Sequence, residues 1–98
     1  MPLYMHQVAY SSDDWNAIIA QPQDRIEAVR SAIEKLGGKV INGWFSFGQY
    51  DVIAICEAPD DEAATALSLS VCSHGNVRSM TLRAFSFDEM KKILGKMV

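Results

Sequence analysis

The chain has 98 residues, 49% hydrophobic and 21% charged. This globular balance excludes a disordered or fibrous polymer and leaves room for one domain, residues 1–98. Twelve acidic against nine basic residues give a net charge of -3, and neither sign gathers into a block, which argues against nucleic acid or an anionic membrane surface as a partner.

Residues 3–10, rich in aromatic and β-favouring types, predict a first strand that stops at Ser11-Ser12. Ser11 or Ser12 followed by Asp13-Asp14 is an N-cap with acids in the first turn, opening a short helix that carries Trp15, Ile18 and Ile19 and ends before Pro22. Asp24 with Glu27 is a capping-box pair for a second helix whose stripe is Ile26, Val29, Ile33 and Leu36, and Gly37-Gly38 supplies a left-handed stop. Residues 39–47 and 50–57 predict a hairpin across Gly48-Gln49. A type II′ turn there pairs Phe45 with Val52, Gly43 with Ala54 and Ile41 with Cys56 on one apolar face. The opposite face, with Asn42, Trp44, Ile53 and Ile55, is mixed but too apolar to sit bare in water.

Pro59-Asp60-Asp61-Glu62 opens the second main helix, running through Ala63, Ala64, Leu67 and Val71 to about His74 and stopping at Gly75. Residues 77–85 alternate as a fourth strand. Ser86-Phe87-Asp88-Glu89 is a capping box for a last helix with Met90, Ile93, Leu94 and Met97 in its stripe. The order βαββαβ, with one added short helix early and another at the end, predicts an α+β ferredoxin-like sandwich with the first and third strands central and parallel. Both main helices fall on one face of a four-stranded sheet. The uncovered face calls for a second copy of the chain, which makes a dimeric α+β barrel with two-fold symmetry.

Three segments resemble the GYD-domain family: Phe47-Gly48-Gln49-Tyr50-Asp51-Val52, Glu57-Ala58-Pro59-Asp60-Asp61, and Gly75 through Phe85. Asp24-Arg25, Gly37-Gly38 and Tyr4 extend the similarity over nearly the whole chain, and the family's namesake residues fall on Gly48, Tyr50 and Asp51 with Gln49 between. The resemblance implies a dimeric α+β barrel and assigns no biochemical role. Barrels of this general build include cofactor-free monooxygenases, small isomerases, haem-binding enzymes and ligand-sensing modules, and fold alone does not choose among them.

No run approaches the roughly 18 apolar residues that cross a bilayer. The opening residues lack a basic region followed by an apolar stretch, so the expected location is cytoplasmic. Cys56 and Cys72 lie outside any C-x-x-C spacing and read as small hydrophobes with no disulfide between them. No metal-ligand set, phosphate-binding glycine loop or nucleophile elbow is present, so no cofactor is expected.

The candidate catalytic pair is His6 with Asp51: placed on the open face, His6 lies beside the Asp51–Ile53 stretch and acts as a base oriented by a carboxylate. Tyr10, Trp44, Asn42 and Thr81 are the candidate ligand-binding residues, for a small aromatic or apolar molecule. In the competing reading His6 satisfies one hydrogen bond in the dimer interface, Tyr50 and Asp51 stabilise a turn, and Trp44 anchors the interface. Three functions follow: a homodimeric small-molecule-binding protein, a small cofactor-independent enzyme with a histidine base, or a self-association module.

Overall fold

The first strand, β1 (Leu3–Ala9), buries Tyr4, His6 and Val8 and leaves the alternate side chains Leu3, Met5 and Gln7 partly open on its other side. A computed structural model describes residues 1–20, 25–73 and 77–98 of the chain. After β1 come α1 (Ser12–Ala20), α2 (Arg25–Lys35), β2 (Lys39–Phe45), β3 (Val52–Glu57), α3 (Asp61–Cys72), β4 (Arg78–Ala84) and α4 (Phe87–Leu94). Ser11 caps α1, accepting from Asp14 N at 3.2 Å while its own amide donates to Asp14 Oδ2 at 3.1 Å. The expected Asp24 cap, and the His74-Gly75 stop of α3, lie outside the described residues.

The sheet has the order β2-β3-β1-β4 and every neighbouring pair is antiparallel. The fold is thus the expected ferredoxin-like α+β sandwich, with one correction: the central strands β1 and β3 are antiparallel, not parallel. A helical crossover makes β2 run the same way as β1, and the hairpin then reverses β3, so β3 has to run against β1.

The β2–β3 pairing matches the expected register at its turn end, with Phe45 opposite Val52 and Gly43 opposite Ala54. Beyond Asn42 a bulge shifts the register, so Val40 and not Ile41 pairs with Cys56. The extra residue lets a buried Val40 take the inward place and leaves Ile41 exposed. The connection is also longer than a two-residue turn. Ser46 N donates to Asp51 O at 2.8 Å and Ser46 Oγ donates to Tyr50 O at 2.5 Å, enclosing residues 46–51. Gly48 does not carry the positive φ of a type II′ turn; among the described residues that conformation belongs to Gly37 alone.

Gly37, at φ 84°, ends α2 in a Schellman arrangement: Gly38 N donates to Ile33 O at 2.8 Å and Gly37 N to Glu34 O at 3.0 Å. Gly38 is needed for a different reason. A β-carbon there would sit 2.2 Å from Glu57 O and 2.8 Å from Ile33 Cγ1, where helix and sheet edge touch. Gly38→Ala is expected to lower stability by about 1–3 kcal/mol through this overpacking, read as a lower denaturant midpoint at unchanged slope.

Helices α2 and α3 cover one face of the sheet. The core between them consists of Tyr4, Ile33, Val40, Ala54, Cys56, Ala58, Ala64 and Leu67, with Val29, Leu36 and Val71 around it. Ala54, Ala58 and Ala64 let the helices approach closely, and among the described residues the largest fully buried side chains are Ile33, Leu67 and Cys56.

Candidate functional site

His6 sits under α3, not on the open face, and is 5% exposed. The strand alternation decides this: His6 shares a side with Tyr4 and Val8, and both are core residues. Its neighbours across the sheet are Ala54 on β3 and Thr81 on β4. Nδ1 lies 3.1 Å from Thr81 Oγ1 and 3.3 Å from Ser68 Oγ, and the two hydroxyl oxygens are 2.5 Å apart. Ser68 Oγ also donates to Ala64 O at 3.3 Å, one helical turn back. A single proton order satisfies the whole chain: Nδ1–H donates to Thr81, Thr81 to Ser68, and Ser68 to the carbonyl of Ala64. That order leaves Nε2 as a bare lone pair, and this nitrogen is buried with no hydrogen-bond partner.

Burial holds the His6 pKa below its ordinary 6.5. Folding therefore favours the neutral ring, so this contribution to stability is present above pH 6.5 and is lost as the pH falls through the lowered folded value. His6→Gln is expected to flatten that acid limb, measured as the denaturation midpoint between pH 7 and pH 5 (about the range in which an unperturbed histidine titrates).

Asp51 does not reach His6. It lies beyond the end of β3, three residues from Ala54, the residue opposite His6, a separation of about 10 Å along an extended strand. Its carboxylate accepts from Tyr10 N at 2.8 Å and its own amide donates to Val8 O at 2.8 Å, tying the end of β1 to the hairpin. The expected base–carboxylate pair is thus replaced by a turn-stabilising aspartate and a hydroxyl-bound histidine. Asp51→Ala is expected to cost about 1–2 kcal/mol by leaving the Tyr10 amide without its charged acceptor, with Asp51→Asn recovering part of it in thermal unfolding.

Of the expected ligand-binding residues, Thr81 joins His6, whereas Tyr10, Trp44 and Asn42 lie elsewhere. The Tyr10 ring stands edge-on to Trp15 at 5.5 Å between centroids, and Trp15 continues to Phe45 at 6.4 Å. Trp44 and Asn42 lie on the other side of the sheet, exposed, and Asn42 Oδ1 accepts from Gly43 N. That open face runs from Trp44 through Ile53 and Ile55 and then Met5 to Met80 and Leu82, and α2 and α3 pack on the opposite side of the sheet. Trp44 is 53% and Leu82 43% exposed.

Two further polar links close the α3 side. Tyr4 Oη donates to Asp61 Oδ1 at 2.5 Å, and this hydrogen bond, with burial, pushes the phenol up to about 12. Arg83 lies 5.7 Å from the Tyr4 ring centroid and 4.4 Å from that of Phe85, and pairs with Glu89 at 3.2 Å. The Glu89 carboxyl is held below its usual range by the Ser86 amide and by Arg83. Both cysteines are free. Burial pushes the Cys56 thiol up to about 11, so it packs as a hydrophobe and is no thiolate nucleophile. Cys72 Sγ lies 3.3 Å from Ser79 Oγ. The described residues contain no group of three or more metal-binding side chains.

The hairpin residues Gly48, Tyr50 and Asp51 and the long match around them fit a known family model, the GYD domain, over residues 4–94. The chain belongs to the GYD-domain family. It is also similar to a Thermus thermophilus protein named "Glutamine synthetase and cystathionine beta-lyase binding protein", at 28% identity over 85 residues, 86% of this chain and 88% of that one. No solved structure matches the chain significantly.

In this GYD domain the namesake tyrosine and aspartate serve the sheet edge: Asp51 as described, and Tyr50 by placing its hydroxyl 3.7 Å from Met80 Sδ. Ser68 and Trp15 are the site neighbours that residue patterns missed. For Ser68 a signal existed, since it follows Ala64 and Leu67 on the buried stripe of α3, where a hydroxyl needs a partner. No helix among the described residues is long and apolar enough to cross a membrane.

Proposed function

We propose that this GYD domain is a homodimeric binding protein that pairs through its open sheet face and acts by holding another protein. The observation that carries the reading is the bare apolar face between Trp44 and Leu82, on a chain whose histidine is sealed beneath a helix. At about 25 cal/mol per Å², covering a few hundred Å² of that face contributes several kcal/mol, which is the scale of a stable dimer. A second copy offers the same face, so one two-fold axis covers both. The name of the Thermus relative, a binding protein for two enzymes, supports a protein as the further partner.

Sedimentation of the purified chain at micromolar concentration is expected to give a dimer; a monomer overturns the pairing. Purified glutamine synthetase and cystathionine beta-lyase, passed over the immobilised chain, test the second half. Saturable binding of either supports a protein partner, and binding of neither overturns it.

One observation favours a small ligand as a second reading, namely the unpaired Nε2 of His6. A lone pair held there by the hydroxyl relay accepts from a small neutral molecule carrying an O–H or N–H. The aromatic and apolar ligands expected from sequence qualify when they bear such a donor. Thermal unfolding with a panel of small phenols and alcohols decides it: stabilisation that disappears in His6→Gln supports the ligand, and no stabilisation by any of them removes it.

A further inference from the structure

Among the described residues, helix α4 has no extended packing against any other element of the fold. Its root is fixed, because the Ser86–Glu89 capping box closes on both sides and Glu89 pairs with Arg83. Beyond the root its apolar residues are exposed to different degrees: Phe87 and Met97 mostly, and Met90, Ile93 and Leu94 by 41%, 37% and 56%. Lys91, Lys92 and Lys96 are exposed among them. A helix of eight residues is well below the ~12–15 that an isolated helix needs to be even marginally stable in water, so caps alone do not account for α4.

The size of the surface says how much has to be covered. A compact monomer of 10.9 kDa exposes about 5,600 Å² by the usual scaling with mass. This chain exposes 6760 Å², an excess of about 1,200 Å². Its radius of gyration is 14.7 Å against about 12.5 Å for a compact chain of this length, and its longest dimension is 53 Å. A standard protein interface takes about 800 Å² from each partner, and a permanent homodimer takes more. The excess is on the scale of the area that one protomer of a stable dimer gives up.

Two apolar surfaces on one chain lack a cover: the open sheet face and the α4 stripe. A two-fold dimer supplies each with the other, because whatever α4 of the first copy touches on the second is repeated in reverse. The strand order adds a direction. Helix α4 follows β4, one edge of the sheet, and β2 is the other edge. When two such sheets face each other about an axis along their strands, β4 of each copy lies over β2 of its partner. That edge carries Ile41 and Trp44, both exposed in the single chain.

We infer that α4 is a reciprocal arm: in the dimer, the Met90–Ile93–Leu94 stripe of each copy closes over the Ile41–Trp44 edge of the second copy. This rests on the pairing proposed above and goes beyond it, since it gives the C-terminal helix a role and a seat. The arm adds to the sheet contact and shields the strand edge that would otherwise be open to further pairing.

The test uses the full chain carrying Trp15→Phe, so that Trp44 is the sole tryptophan. Ile93→Glu with Leu94→Glu is compared against Lys92→Glu as a charge control away from the stripe. Burial of two aliphatic side chains predicts a dimer weakened by on the order of a hundredfold or more in sedimentation equilibrium, with Trp44 emission shifted to the red. The control is expected to keep both dimer and emission. Far-ultraviolet circular dichroism establishes that the sheet and the two packed helices persist, since α4 is not part of their core.

A dimer of unchanged strength with unshifted Trp44 emission in the double variant overturns the arm while the sheet pairing stands. A weakened dimer in which Trp44 was already water-exposed before the change overturns the seat proposed for it. A monomeric parent chain overturns the arm and the pairing together.

Discussion

On the pairing proposed above, Leu82→Glu is expected to turn the dimer into a monomer without unfolding the chain. Leu82 lies on β4 opposite Met5, on the side of the sheet that no helix covers, and is 43% exposed in the single chain. A carboxylate there costs the lone protomer little, because water reaches it. In the paired state each copy loses about 1.5–3 kcal/mol of leucine burial, and the two-fold repeats the loss, so the association constant falls by on the order of 10²–10⁴. The desolvation of two facing carboxylates adds to this. Sedimentation velocity across a concentration series checks it, with circular dichroism as the fold control. Phe47→Glu is the contrasting variant: Phe47 is fully exposed in the hairpin loop and off the sheet, so its change is expected to leave association intact. Equal self-association in Leu82→Glu and the parent would remove the open face as the pairing surface.

Leu67→Ala is expected to show the largest loss of stability of any single change in the core, about 2–5 kcal/mol. Leu67 is buried on α3 within the cluster that includes Tyr4, Ile33 and Cys56. Three of the buried positions around it are alanines, Ala54, Ala58 and Ala64, which have no side-chain length with which to fill a cavity. Domains of this size have about 5–15 kcal/mol of stability in all, so a deletion on this scale approaches the total. Chemical denaturation measures it as a lower midpoint. An effect under about 1 kcal/mol would mean that α3 relaxes onto the sheet, contrary to the rigid Tyr4–Asp61 and Ser68–Thr81 ties that hold it.

Much of the fold was legible in residue order because local chemistry sets it. The capping box at Ser86, the acidic opening of α3, the Gly37-Gly38 stop and the alternation of β1 each involve groups within a few residues of one another. Their physics is the same in any fold. The four strands follow from such signals, and with them the ferredoxin-like arrangement, whereas the family rests on the resemblance of particular segments.

The site was less legible. The parallel pairing expected of the first and third strands placed His6 beside Asp51; the antiparallel pairing places Ala54 there and moves the carboxylate to the turn. The side that His6 faces was equally beyond local pattern, since Gln7 and His6 compete for the interior and either order alternates correctly. Ser68 and Thr81 settle the competition by offering hydroxyls under α3, and they lie 62 and 75 residues away along the chain. The bulge that exchanges Ile41 for Val40 was hidden for a related reason, because both side chains suit a strand and only the helix packing against it prefers one.

By itself, then, the sequence determined most of the segments that become helix and strand, several of their ends, and that one side of the sheet is largely apolar. These depend on neighbours in the chain, whose spacing is written in residue order. Tertiary structure alone decided that the histidine is sealed and bound to hydroxyls, that the aspartate serves a turn, and that the last helix is tied to the sheet at its root through Arg83 and Glu89. Those depend on which distant groups meet, and long-range pairing is set by the direction and register of strands that residue order leaves open.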